Sequence, residues 1–309
     1  MYNECLCENR DLARFITLRS LPRVWFTMQL SEPKFMKKSL ASSAFIVVAV
    51  ITILFISSFA LLTTSAASVS HRTVMGYNAA TSGSYNWSGY VVTGGINSVS
   101  GALGSWTVPT VTCASGENSY SSFWVGIDGF QSGSNTVEQI GTDSDCASGI
   151  PTYYSWYSFY PYSSSIVLTS VHPGDVIVAS VYYLPKTSLF AVVLKDMTTG
   201  KLYGAEGAVP GALRNSADFI TEAPYVCSTT GCTLAPLSNF GTVGFGQSNT
   251  NIKYTGSLVL NDIFGPIGSF PSAQSIQMVS QSNTNLVKAQ PSAILNGNSF
   301  TVTWMNAGP

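Results

Sequence analysis

Gln139 and Glu222 are the side chains whose types and settings point most directly to chemistry in this 309-residue chain. Gln139 lies in Thr136-Val137-Glu138-Gln139-Ile140-Gly141-Thr142. Glu222 lies in Ala217-Asp218-Phe219-Ile220-Thr221-Glu222-Ala223-Pro224. Both runs read as strands. A carboxylate can take a proton from water and return it to a leaving nitrogen. A side-chain amide N–H can stabilise the oxyanion of an attacked carbonyl. Together they suffice to hydrolyse an amide bond in acid, since a glutamate with its ordinary pKa of about 4.3 is a poor acid at neutral pH.

Other hydrolytic sets fail on counting. The chain has two histidines, His71 and His172, and His172 precedes Pro173-Gly174 in a turn. A serine triad needs a histidine held between nucleophile and carboxylate. A cysteine nucleophile needs a free thiol and a base. No His-x-x-x-His pair exists for zinc, and neither metal nor cofactor is expected. Paired Asp-Thr-Gly or Asp-Ser-Gly loops are missing; Asp128 is followed directly by Gly129.

Strand parity sorts the carboxylates, because alternate side chains face opposite sides of a sheet. Val137, Gln139 and Gly141 share one face, and Glu138 and Ile140 the other. Asp218, Ile220 and Glu222 share a face. Glu138 and Gln139 therefore cannot line one cleft together.

The elements that must position these residues are strands. From residue 85 onward, short runs rich in Val, Ile, Thr, Tyr, Phe and Trp alternate with Gly, Ser, Asn and Pro clusters, and no amphipathic helix stands out. Strands are predicted near 86–93, 99–107, 121–127, 136–142, 151–160, 164–170, 175–184, 188–196, 217–222, 240–246, 253–260, 274–280 and 299–304. Many short strands without intervening helices argue for an antiparallel sandwich or barrel in one domain.

The N-terminal part differs. Lys37-Lys38 precedes an apolar run, residues 40–62, and a small-residue exit at Thr63-Thr64-Ser65-Ala66-Ala67-Ser68. That pattern describes a secretory signal, and its length also suits a membrane anchor. Met36 stands just before the lysines, so residues 1–35 are expected to be an extension from an early start. The resulting division is an extension over 1–35, a signal or anchor over 36–67, a linker or short pro-segment over 68–84, and a globular domain over 85–309.

Beyond residue 67 there are eleven acids against seven bases, a net charge of about −4, without a basic patch. Nucleic acid is not an expected partner. Scarce carboxylates also leave few groups whose protonation destabilises the fold in acid. Four cysteines follow the export segment, an even number that suits disulfides. Cys227 and Cys232 flank a four-residue turn, which leaves Cys113 with Cys146, although three pairings are possible. Asn86-Trp87-Ser88 fits the acceptor pattern for glycosylation.

Nine segments in order resemble the glutamic peptidases, the eqolisin family, over residues 85–304. They include Asn86-Trp87-Ser88-Gly89-Tyr90, Gly104-Ser105-Trp106-Thr107-Val108-Pro109, Trp124-Val125-Gly126-Ile127-Asp128-Gly129, both runs that hold Gln139 and Glu222, and Ser299-Phe300-Thr301-Val302-Thr303-Trp304. The resemblance implies an all-β fold, an antiparallel β-sandwich of two bent sheets like a lectin jelly roll, with the cleft on one concave face. It implies a catalytic dyad at Gln139 and Glu222 and cleft positions at Trp87, Trp124, Asp128, Asp143, Trp156 and Tyr160. An exported acid endopeptidase acting on polypeptides as a monomer is the expected function. Many relatives carry an acid where this chain has Ser158, which puts the tuning of the dyad in question. The alternatives are a non-catalytic, lectin-like cell-surface module of the same fold, and a glycosidase, which needs two carboxylates at a set separation.

Overall fold

The computed structural model describes residues 68–70, 77–78, 83–163, 165–229 and 231–308. The expected extension and the signal or anchor, including residues 40–62, lie outside them. Among the described residues no helix is long and apolar enough to cross a membrane.

The chain folds as an antiparallel β-sandwich. The sheet that carries the candidate site has seven strands. In spatial order they are Ile166–Ser170, Ile150–Tyr160, Val137–Ala147, Ser122–Ile127, Ser216–Glu222, Trp87–Thr93 and Ala273–Val279. The second sheet runs from Leu202–Gly207 through Leu189–Asp196 and Val176–Leu184 to Val99–Thr107. Beyond Val99–Thr107 lie Ser257–Leu260 and Thr242–Phe245, the latter continuing into Phe300–Trp304 and Val287–Pro291. Val287–Pro291 also pairs with Ala273–Val279, which joins the two sheets at that strand.

Alternation explains which side of the site sheet is the core. Val92, Phe123, Val125, Ile127, Ile140 and Phe219 point inward and meet Trp106, Ile177, Val192, Leu194 and Phe245 of the second sheet. Each such side chain contributes roughly 1.5–3 kcal/mol by leaving water. The indole N–H of Trp106 reaches across to Thr142 Oγ1 at 2.8 Å. The opposite face of the site sheet carries a separate, smaller cluster of Trp87, Val91, Trp124, Val137, Trp156 and Ile220, joined by Ile276.

The predicted strands are all present, within a few residues at their ends. The glutamine strand runs on to Ala147, five residues past the predicted end, because it pairs with Ile150–Tyr160 as a long hairpin. Sequence reading overlooked Leu202–Gly207 and Ile263–Pro266, which are short and carry exposed side chains and glycines, and Val287–Pro291. Helix is confined to Gln247–Thr250 and a single 3₁₀ turn at Ile267–Ser269 among the described residues.

Both expected disulfides are formed, Cys113–Cys146 and Cys227–Cys232. The second bridges the facing strands Tyr225–Ser228 and Gly231–Leu234, immediately after the Glu222 strand.

Candidate active site

Cross-strand pairing arranges the outer face of the site sheet in rows. One row is Trp87, Glu222, Ser122, Asp143 and Tyr154. The next is Gly89, Ile220, Trp124, Gly141 and Trp156. The third is Val91, Asp218, Gly126, Gln139 and Ser158. Glu222 and Gln139 thus share a face, two rows apart, with Trp124 in the row between them.

Trp124 spans that interval. Its Nε1 donates to Glu222 Oε2 at 2.9 Å. Its six-membered ring lies over Gly126, where a Cβ would sit 2.9 Å from Trp124 Cζ3 and 3.3 Å from Gln139 Cβ. A Cβ at Gly141 would press on Trp124 Cβ at 2.6 Å. Glycine at both positions therefore lets the indole lie down on the sheet between the glutamate and the glutamine. Trp87 meets the same ring edge-on, with centroids 4.9 Å apart.

Glu222 is held from the other side as well. Asn86 Nδ2 donates to Glu222 Oε1 at 3.4 Å, and Asn86 Oδ1 accepts from the Ser84 hydroxyl at 3.0 Å. The Asn86 carbonyl also takes the Ala223 N–H at 2.8 Å. The carboxyl is fully buried, and burial pushes its pKa well above the ordinary glutamate value. The charge of Asp143 adds to that rise, while the bonds from Trp124 and Asn86 oppose it.

Asp143 accepts the Trp156 indole N–H at Oδ1 and the Tyr154 hydroxyl at Oδ2, 2.8 Å away. Tyr154 Oη is also 3.1 Å from Asp145 Oδ2. Trp87, Trp124 and Trp156 are buried in the outer cluster rather than in the sandwich core, and Tyr160 packs against them.

Asp128 is placed elsewhere. It ends the Ser122–Ile127 strand with a positive φ of 70°, and its carboxylate ties down the loop from Arg214. It accepts the backbone N–H groups of Arg214 at 2.7 Å and Asn215 at 2.8 Å, and the Thr136 hydroxyl at 3.3 Å. Its charged neighbours are Glu138 and Asp218, not Glu222. Glu138 points to the sandwich core, the face opposite Gln139. It is fully buried and neither carboxyl oxygen has a hydrogen-bond partner. Burial first, then the charge of Asp128, raises its pKa well above the usual range.

Sequence reasoning missed three residues of this site. Asn86 stood out as the head of a family-like segment and as a glycosylation acceptor, and the structure corrects the second reading: the side chain is buried against Glu222 and is not a surface site. Alternation puts Tyr154 on the face of Trp156 and Tyr160 without marking it as a site residue, and Asp145 could have been found the same way, two positions after Asp143. His172 is exposed and faces Asp175 across its turn, far from any triad geometry. Among the described residues no His, Cys, Asp and Glu cluster is arranged to hold a metal ion. A depression of about 420 Å³ lined by Tyr183, Phe190, Pro210 and Arg214 includes neither Gln139 nor Glu222.

Residues 85–304 match the Peptidase A4 family. The fold is similar to a crystal structure of scytalido-glutamic peptidase with a peptide-based transition-state analogue. That likeness has 23% identity and a TM-score of 0.58 and covers 72% of this chain and 98% of that one. It is also similar to SCP-B, a member of the eqolisin family solved with the tripeptide Ala-Ile-His. Here the identity is 22% and the TM-score 0.55, again over 72% of this chain and 98% of that one. A comparison with curated proteins gave no match. With the family matched over the whole sandwich, this chain belongs to the Peptidase A4 family, the glutamic peptidases, and is a peptide-bond hydrolase.

Proposed function

We propose that this peptidase is an exported endopeptidase that works in acid through Gln139 and Glu222. The observation that carries the reading is the Trp124 indole, bonded to Glu222 and set in the row between Glu222 and Gln139 on one face of the sheet, inside the family's matched region. Residues 85–309 form its catalytic domain, and residues 36–67 direct export as a cleaved signal or as an anchor through 40–62.

An extended polypeptide laid across Trp124 brings its scissile carbonyl toward Gln139 and leaves a water at Glu222. Glu222 takes the proton of that water as it attacks, then delivers it to the leaving nitrogen. The Gln139 amide N–H stabilises the oxyanion, an effect worth about 3 kcal/mol for one donor in other systems. Trp87, Trp156 and Tyr160 supply flat apolar surface for the flanking residues of the substrate, and Asp143 sets the charge beside the dyad. The indoles are shielded from solvent in the closed site, so binding must part this cluster. Water admitted with the substrate reverses the desolvation that raises the Glu222 pKa and brings it back toward the ordinary range, so that a working fraction of carboxylate exists in acid.

Acid operation agrees with the other buried carboxyls. Glu138, Asp145 and Asp218 all have pKa values raised by burial, so their neutral forms, favoured in acid, are the ones the fold accommodates. The test is digestion of casein or haemoglobin by the secreted protein at about pH 3, below the ordinary glutamate pKa. Chelator-resistant cleavage there supports the reading. An optimum above about pH 6 overturns it.

A further inference from the structure

Tyr154 offers one hydroxyl proton to two carboxyl groups. Its Oη lies 2.8 Å from Asp143 Oδ2 and 3.1 Å from Asp145 Oδ2. One proton cannot serve both contacts, and two carboxylates facing one phenol oxygen would leave one unpaired charge in a buried site. The remaining bonds say where the second proton resides. Asp143 accepts at both oxygens, from Trp156 at Oδ1 and Tyr154 at Oδ2. Asp145 accepts the Ser121 N–H at Oδ1, 3.1 Å away, which leaves Oδ2 to carry a proton toward Tyr154.

Resting on the dyad reading above, we propose that Asp145 and Tyr154 are positioning residues: a protonated Asp145 donates to Tyr154, which donates to Asp143, and this one-way chain fixes Asp143 as a carboxylate in the row of Glu222. Only Ser122 separates Asp143 from Glu222 in that row. Both Asp145 and Asp143 are buried, so the direction of the chain is not blurred by solvent.

The arrangement has a definite charge. Two carboxyls and one phenol hold two protons, giving −1 beside the dyad. The titratable groups facing Asp145 are Asp143 on its own strand, Tyr154 on the neighbouring strand and Tyr120, whose pKa Asp145 raises. Glu222 is reached through Asp143. Burial and the charge of Asp143 push Asp145 well above the ordinary aspartate range, the direction the geometry requires. Once Asp145 loses its proton, the site gains a second negative charge and Asp143 loses sole claim on the Tyr154 hydroxyl.

The test uses the full exported protein, with aspartate carboxyl carbons labelled by ¹³C, and three variants: Asp145→Asn, Tyr154→Phe and the double. The expected spectrum has, beside the buried Asp218, a second carboxyl that stays protonated above the ordinary range of about pH 4; only this second signal is lost in Asp145→Asn and titrates differently in Tyr154→Phe. The expected kinetics are a fall in kcat of at least about tenfold in Tyr154→Phe, with KM little changed, because Asp143 shifts while the stacking surfaces remain. The double variant should cost no more than Tyr154→Phe alone, since Asp145 acts through Tyr154. Asp145 ionising in the ordinary range, or additive losses in the double variant, overturns the proposal. If the titration is as stated and the unaltered protein cleaves no polypeptide, the relay stands and the dyad reading fails.

Discussion

The indole N–H of Trp124 donates to Glu222 Oε2 at 2.9 Å, and the same ring lies over Gly126, whose cross-strand partner is Gln139. One aromatic side chain thereby donates to the glutamate and occupies the row between it and the glutamine. Trp124→Phe keeps a ring and deletes the donor. A donor to a carboxylate lowers its pKa, so its loss raises that of Glu222 further. The acid limb of kcat/KM should move to higher pH, and kcat should fall about ten- to a hundredfold, as for loss of a hydrogen bond to a charged group. A pH–rate profile reads both.

Gly126→Ala tests the spacing. The added methyl would meet Trp124 at 2.9 Å, Glu138 O at 3.0 Å and Gln139 Cβ at 3.3 Å. The backbone carbonyl cannot yield, so the ring and the amide must. We expect kcat to drop at least about tenfold, since misplacing a reacting group by about 1 Å costs up to 10²-fold. Thermal melting should change far less than the rate.

Glu138→Gln concerns stability and not turnover, because Glu138 faces the sandwich core, away from Gln139. Its folded-state pKa is raised above the unfolded value. The neutral carboxyl therefore contributes fully below about pH 4, and stability is lost as pH rises from there toward the folded pKa, by up to about 1.4 kcal/mol per pH unit. The amide variant lacks this dependence. At pH 3 the two proteins should melt alike, and at pH 7 Glu138→Gln should be the more stable. Urea unfolding at both pH values measures the difference.

The two disulfides should separate by loop length. Cys113–Cys146 closes 33 residues and Cys227–Cys232 closes five. Chain-entropy estimates give roughly 4 kcal/mol for the first and about 2 kcal/mol for the second. Replacing the first pair by alanine should lower the melting temperature more. Replacing the second should depress activity at least as much as stability, because its hairpin follows the Glu222 strand directly. Non-reducing peptide mapping at low pH checks the pairing.

Much of this architecture is written in residue alternation. Val137, Gln139 and Gly141 on one face and Glu138 and Ile140 on the other follow from period two, and the register bears it out. The aromatic alternation of residues 153–160 likewise divides into Tyr153, Tyr157 and Phe159 at the core and Tyr154, Trp156 and Tyr160 on the outer face. What stayed hidden depends on partners distant in sequence. Asn86 reaches Glu222 across 136 positions, and no local pattern announces that contact. Asp128 was grouped with the cleft by its motif, yet its carboxylate holds backbone N–H groups 86 and 87 residues away. The edge strand Leu202–Gly207 pairs on one side only and shows neither the apolar alternation nor the β-branched residues of a central strand.

The central claim is that Glu222 and Gln139 perform the hydrolysis, and the most direct measurement is kcat/KM of Glu222→Gln on a polypeptide at about pH 3, beside its near-ultraviolet circular dichroism. The amide matches the buried carboxyl in shape, so the native spectrum should persist. Turnover should fall by at least about 10³-fold with the loss of the proton-transfer group, and Gln139→Ala should lose about 10²- to 10³-fold with its single oxyanion donor. A Glu222→Gln protein with native circular dichroism and more than about a tenth of the original kcat/KM, a loss too small for a general base, would contradict the account.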